Sequence, residues 1–186
     1  MKYFKTVLLS LCLGTALFSQ AQVPTKPLAW EDVIGWKRIT AQTISDNGKW
    51  VACQMEPWRG DASVTLYNDL GAEKASFASA EGASFSASSN FMLVTLKPSV
   101  AVVDSLKLKK TKEDKMPMNK LMIYHLVSDK KEVIDSVRTF KLSESADWIA
   151  YQRGSKADSA LYVRSLDGTK MDSLSAVTDF GFAKKS

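Results

Sequence analysis

The chain has 186 residues, 45% of them hydrophobic and 24% charged, with a formal charge of +5. That length is one domain's worth, and the balance excludes a disordered or fibrous chain. So small a positive excess gives no case for nucleic acid as a partner.

The first residues read as a separate object. Met1, Lys2 and Lys5 make a positive start, residues 6–18 are almost all apolar, and Ser19-Gln20-Ala21 puts small residues at a cleavage site. That is the layout of a secretory signal peptide over residues 1–21. The apolar run is too short for a stable membrane span, which needs roughly 20 residues; an uncleaved anchor is the plainer alternative. Cys12 sits inside that run and follows Leu11, so it does not fit a lipid-acceptor site. Cleavage would remove Lys2 and Lys5 and lower the formal charge to +3. It would leave Cys53 as the lone cysteine, unable to make an internal disulfide and set in an apolar run as a buried thiol. An exported, periplasmic or extracellular location follows as the expectation.

Residues 22–40 read as a lead-in. Trp30, Val33 and Ile34 share one face of a short helix that Gly35 would end. Then a pattern recurs. Ile44-Ser45-Asp46-Asn47-Gly48-Lys49-Trp50, Phe85-Ser86-Ala87-Ser88-Ser89-Asn90-Phe91 and Leu142-Ser143-Glu144-Ser145-Ala146-Asp147-Trp148 each place Ser after an apolar residue. Each then has a polar turn, an aromatic five positions after the Ser, and an apolar run. Asn-Gly suits a tight hairpin because both residues tolerate positive φ. A second run follows in each unit at 64–67, 121–124 and 161–163, and a more polar one at 73–77, 131–134 and 170–174.

Ser45 to Ser86 spans 41 positions and Ser143 to Ala183 spans 40, whereas Ser86 to Ser143 spans 57. The second unit therefore carries an insertion, placed at about 97–119. Four strands per roughly 40 residues is the signature of a propeller blade. The expected fold is all-β: an incomplete β-propeller over 41–186, after the signal peptide. Its blades fall at about 41–80, 81–137 and 138–178, with a fourth starting at 179–186 around Phe182-Ala183-Lys184-Lys185. A sandwich or barrel also shows short, regularly spaced strands, but does not require the same serine turn at a fixed period.

Chemistry is thinly supplied. There is no Gly-x-Ser-x-Gly elbow and no phosphate loop. His125, the sole histidine, is the one candidate base; it falls at a strand end near Asp129 with no activated Ser to match, and reads as a surface or packing residue. One histidine and one remaining cysteine exclude the usual zinc patterns. No catalytic, cofactor or metal residue is assigned. Arg59-Gly60-Asp61 has the form of an adhesion tripeptide, but between strands ending at Glu56 and starting at Ser63 it reads as a turn. Lys107 to Lys115 is a charge run within the insertion, expected as a solvated, mobile loop that ends at Met116-Pro117-Met118; a rim loop guiding an acidic partner is the sharper reading.

The exported start, Trp30 to Ile39, Ile44 to Val51, Met55 to Asp61 and the Lys-rich insertion closing in Met116-Pro117 together resemble the N-terminal part of exported bacterial peptidases. The family is the prolyl oligopeptidase family of serine peptidases, in the branch common in Bacteroides-like bacteria. The resemblance covers essentially the whole chain. It implies a propeller of seven or eight blades that limits peptide access to a C-terminal α/β-hydrolase domain holding Ser, Asp and His. No position here matches that catalytic motif. Peptide substrate and hydrolase domain are thus partners implied for a longer parent, and this chain alone is expected to be inactive. A propeller-type periplasmic binding protein without an enzyme domain, and a complete small secreted β domain, are the alternatives.

Overall fold

The computed structural model describes residues 26–154 and 160–183. The expected signal peptide lies outside the described residues, as do Lys184 and Lys185 of the expected fourth copy. The chain divides into two units, Met1–Val33 and Ile34–Ser186. Around the boundary runs the short helix α1 (Trp30–Ile34). The Asp32 carboxylate accepts the Ala29 N–H at 3.0 Å and pairs with Lys26 at 3.2 Å, which ties down the first turn.

The second unit is built from three four-stranded antiparallel sheets, each a meander in chain order. Sheet 1 is β1 (Lys37–Ile44), β2 (Trp50–Pro57), β3 (Ser63–Asn68) and β4 (Glu73–Ala78). Sheet 2 is β5 (Ala80–Phe85), β6 (Phe91–Leu96), β7 (Lys120–His125) and β8 (Lys131–Ile134). Sheet 3 is β9 (Val137–Leu142), β10 (Trp148–Arg153), β11 (Ala160–Ser165) and β12 (Met171–Ser175). The three serine turns join the first strand to the second in every sheet, so they occupy matching places. That repetition is what a propeller demands and a sandwich does not.

Register makes the equivalence residue by residue. Trp50 pairs with Asn68, Phe91 with His125 and Trp148 with Ser165. Side chains alternate along a strand, so each sheet has a leading face toward the next sheet and a trailing face toward the previous one. Ala52, Val64 and Leu66 on the leading face of sheet 1, with Trp50 beside them, pack on Met92, Val94, Met122 and Tyr124 of sheet 2. Phe91, Leu93, Leu121 and Ile123, one step out of phase on those same strands, pack on Ile149 and Tyr151 of sheet 3. The continuous apolar runs of β6 and β7 thus bury both faces of the middle sheet.

The junctions also repeat. Ser79 and Ser136 between sheets, and Ala176 after β12, all adopt left-handed backbone, with φ of 51°, 58° and 57°. After β5 begins, its Gly82 N–H is accepted by Gln54 Oε1 at 2.9 Å. After Ala176, the Val177 carbonyl accepts from Gln152 Nε2 at 2.8 Å. Gln54 and Gln152 occupy the same register position, so the segment from Val177 runs along sheet 3 as β5 runs along sheet 1.

Two expectations need correction. The insertion is not a loop throughout: it forms α2 (Val100–Leu108) and a 3-10 turn at Glu113–Lys115. The Ser99 side chain accepts the Val102 N–H at the helix start, which offsets the weak helix preference of the β-branched valines. Only Lys109 to Lys112 stay outside regular structure in the charge run. The first sheet also begins at Lys37, inside the stretch assigned to the lead-in. A register shift between Ile39 and Ala41 breaks the alternation that would have marked β1.

Candidate functional site

The second unit has two edges: the edge of the hairpin turns, and the edge where the sheets are joined. At the turn edge the serines act on backbone. Ser45 Oγ accepts the Trp50 N–H at 3.0 Å and donates to Asn47 Oδ1 at 2.8 Å. Ser86 Oγ accepts the Phe91 N–H at 3.3 Å, and Ser143 Oγ accepts the Ser145 N–H at 3.4 Å. Successive turns also touch: the Asn47 N–H donates to Ser89 Oγ and the Ser88 N–H to Asp147 Oδ1, both at 3.2 Å.

The same device recurs between β11 and β12, outside the serine-to-aromatic repeat. Ser165 Oγ accepts the Lys170 N–H at 3.0 Å and donates to Asp167 at 2.6 Å. Hydrogen bonds from Ser165, then from the Thr169 N–H and hydroxyl, hold the Asp167 carboxyl down to about 2. His125 occupies this position in sheet 2. Its Nδ1 accepts the Val127 and Ser128 N–H groups at 3.3 and 3.1 Å, and its ring meets Phe91 edge-on at 4.8 Å. The sole candidate base is therefore a turn cap, its Nδ1 lone pair already occupied.

Asp129 does not serve His125 either. Its carboxylate accepts from Tyr124 Oη at 2.5 Å and pairs with Lys74 of sheet 1 at 2.9 Å. Burial first, and then Asp129, push the Tyr124 phenol up to about 12, while the Tyr124 hydrogen bond and then Lys74 hold Asp129 below its ordinary range. A second clamp joins sheets 2 and 3. Arg164, with only 9% of its side chain exposed, grips Glu132 with both guanidinium nitrogens at 2.6 and 2.9 Å. That fork depresses the Glu132 carboxyl. These perturbed groups hold sheets together; none faces a nucleophile.

An open hollow of about 370 Å³ on the turn edge lies between Asp46, Ser88, Glu144 and Asp147. The junction edge carries an open cleft of about 310 Å³ lined by Arg38, Glu56, Trp58, Asp61, Lys97 and Val100, among others. Trp58 stands 83% exposed there. Arg59-Gly60-Asp61 lies on this rim, and its carboxylate is engaged: Asp61 accepts the Val100 N–H at 2.6 Å and the Ser79 hydroxyl at 3.0 Å. Asp61 thereby anchors α2 to sheet 1, a role that the tripeptide's spacing did not reveal. Cys53 is half-buried on the trailing face of sheet 1. Among the described residues no three His, Cys, Asp or Glu side chains gather as a metal site, and no helix is long and apolar enough to cross a membrane.

Repeated meander sheets, stacked face to face with equivalent turns and junctions, decide the architecture. This is part of a β-propeller. Solved structures agree. A structure described as one of two prolyl endopeptidases aligns with a TM-score of 0.52 at 14% identity, over 76% of this chain and 22% of its own. The β-propeller domain of the Trilobed protease from Pyrococcus furiosus, described as having an open velcro topology, aligns with a TM-score of 0.52 at 9% identity, over 77% of this chain and 44% of its own. The chain spans under half of either protein's length. At such identities the likeness shows the propeller fold of peptidase propeller domains and nothing finer. No protein-family model matches the sequence, and no curated protein does.

Proposed function

We propose that this chain is the first part of the propeller of an exported serine peptidase of the prolyl oligopeptidase family, in the Bacteroides-like branch. There the propeller restricts which peptides reach an α/β-hydrolase domain carried elsewhere in the parent. The reading is supported by the segments of family resemblance and by propeller domains of peptidases among the structural neighbours. The observation that carries it is the state of the trailing face of sheet 1. Val51, Cys53 and Tyr67 are only half-buried there, while their register equivalents Met92, Val94 and Tyr124 are closed off by a neighbouring sheet. An apolar face of this kind is made for a further blade. The chain's own side chains bind and pack; the hydrolytic groups belong to the other domain.

The decisive experiment is the reading frame beyond Ser186. Further serine-turn units followed by a Gly-x-Ser-x-Gly elbow support the proposal. A stop codon with no hydrolase sequence downstream overturns it, and a run of blades ending without an elbow favours a propeller-type binding protein instead.

A further inference from the structure

The insertion has no counterpart in sheets 1 and 3. It leaves β6 at Lys97 and returns to β7 at Lys120, so it stands on the junction edge. The Lys97 N–H donates to the Ser79 carbonyl at 2.7 Å, and the Asn119 carbonyl accepts from the Val137 N–H at 2.9 Å, which fixes both of its ends. The start of α2 is pinned by Asp61 and capped by Ser99. This is a held arm. Its far end carries Lys107, Lys109, Lys110, Lys112 and Lys115, all exposed. Among the described residues none of these five lysines forms an ion pair, although Arg38, Lys97 and Lys120 on the same edge do. Val102 and Leu108 are exposed beside them at 49% and 85%.

Unpaired cations beside exposed apolar side chains fit a partner with carboxylates and apolar groups in alternation. Residues 97–119 hold no aromatic residue. The arm itself therefore offers neither the interfacial anchor of a membrane-binding helix nor a platform on which bases stack; the exposed Trp58 that shares the cleft with Val100 follows β2 of sheet 1. Glu113 and Asp114, set among the lysines, interrupt the positive run, which suits spaced carboxylates better than an unbroken row of phosphates. We propose that the insertion is a docking arm for acidic polypeptide segments. This deepens the peptidase reading by naming the peptide class that its propeller rim would favour, and so rests on that reading for its biological meaning. The binding event itself belongs to this chain alone.

The test is fluorescence anisotropy of a labelled peptide of alternating Glu and Ala against the full chain. The same peptide with Gln for Glu is the control, and a quadruple variant Lys107→Glu, Lys109→Glu, Lys110→Glu, Lys112→Glu is the second protein. The Glu peptide is expected to bind at low salt, at least about tenfold more tightly than the Gln peptide, with a similar loss in the variant or on raising salt to physiological strength. If circular dichroism shows the Glu variant unfolded, the Lys→Gln version of the same four positions carries the comparison. Equal binding of both peptides, or equal binding by wild type and variant, overturns the proposal. So does insertion-dependent binding of phosphatidylserine vesicles or single-stranded DNA in place of the peptide. None of these results bears on the reading frame, so this proposal and the peptidase reading fail separately.

Discussion

Sheets 1 and 2 are built on the same register yet live in different surroundings. In sheet 2, Met92 and Val94 face sheet 1 and Phe91 and Leu93 face sheet 3, and all four are buried. In sheet 1, Ala52 faces sheet 2 and is buried, while Val51 and Cys53 on the other side of the same strand are half-buried. β1 is exposed along almost its whole length. The serine turns, the alternation and the strand order are the same, so they do not create the difference. A blade's local code makes the sheet; its neighbours make the core. That is the energetic logic of repeat proteins, in which each unit contributes its own stability plus an interface term.

The largest effect should come from breaking an interface that exists. Leu93→Ala removes a fully buried side chain between sheets 2 and 3 and should cost about 2–5 kcal/mol, read by urea denaturation. Ile149→Val, across the same core, should cost about 0.5–1.5 kcal/mol. A Leu93→Ala loss well below that of an ordinary core truncation would mean that sheets 2 and 3 do not dock as described.

Next comes the clamp between those sheets. Arg164→Met leaves the Glu132 carboxylate without its fork, but Glu132 is 43% exposed and water takes over part of the role. A loss of about 1–2 kcal/mol is expected, below the range for a wholly buried pair. Lys74→Met between sheets 1 and 2, where Asp129 is 55% exposed, should cost less still, because an exposed pair is screened by water. The pH dependence has a definite sign. Glu132 is depressed in the folded state. Its contribution is therefore present above the ordinary carboxylate pKa and is lost as pH falls through the lower folded value. Thermal melts of wild type and Glu132→Gln should differ at neutral pH and converge in acid. A gap that stays constant across that range would remove the ion pair from the account.

The serine turns sharpen the comparison from the local side. Ser45→Ala and Ser86→Ala each remove an acceptor for the N–H of the following aromatic residue and should cost about 1 kcal/mol. Ser143→Ala should cost less, because its contact is a 3.4 Å bond to Ser145 and does not reach Trp148. If all three cost the same, the turn geometry is more uniform than the hydrogen bonds indicate.

These serines were also the most legible part of the sequence. A hairpin is decided by a handful of adjacent residues, so Asn47-Gly48 and the aromatic after it announce their place without tertiary information. The strands β3, β7 and β11, and the polar strands after them, could be read for the same reason. Features that depend on distant partners could not. Ser79, Ser136 and Ala176 adopt positive φ, yet Ser and Ala are not the residue types that signal it. Gln54 and Gln152 gain meaning only once register aligns them. Asp61 belongs by sequence to a tripeptide, and only the fold sets the start of α2 against it. α2 itself is hard to read because Val100, Val102 and Val103 are β-branched and disfavour a helix, although Pro98-Ser99 is a fair helix start. His125 offered the opposite trap: a chemically versatile residue whose partners, the Val127 and Ser128 N–H groups, make it a turn cap.

The smallest expected effect is the most discriminating. Val51→Thr changes a methyl to a hydroxyl on the trailing face of sheet 1, at the register position of Met92 and Ile149. With that face open, the hydroxyl finds water and the change should lie within about 0.5 kcal/mol. Val94→Thr, the same methyl-to-hydroxyl change on the filled trailing face of sheet 2, should cost several times more, because a hydroxyl is desolvated there. The ratio of the two, measured by denaturation in one background, reports whether a sheet covers the trailing face. In a parent that closes its ring the Val51 substitution should become as costly as Val94→Thr in sheet 2, so the same pair of mutants, moved to a longer chain, measures closure directly.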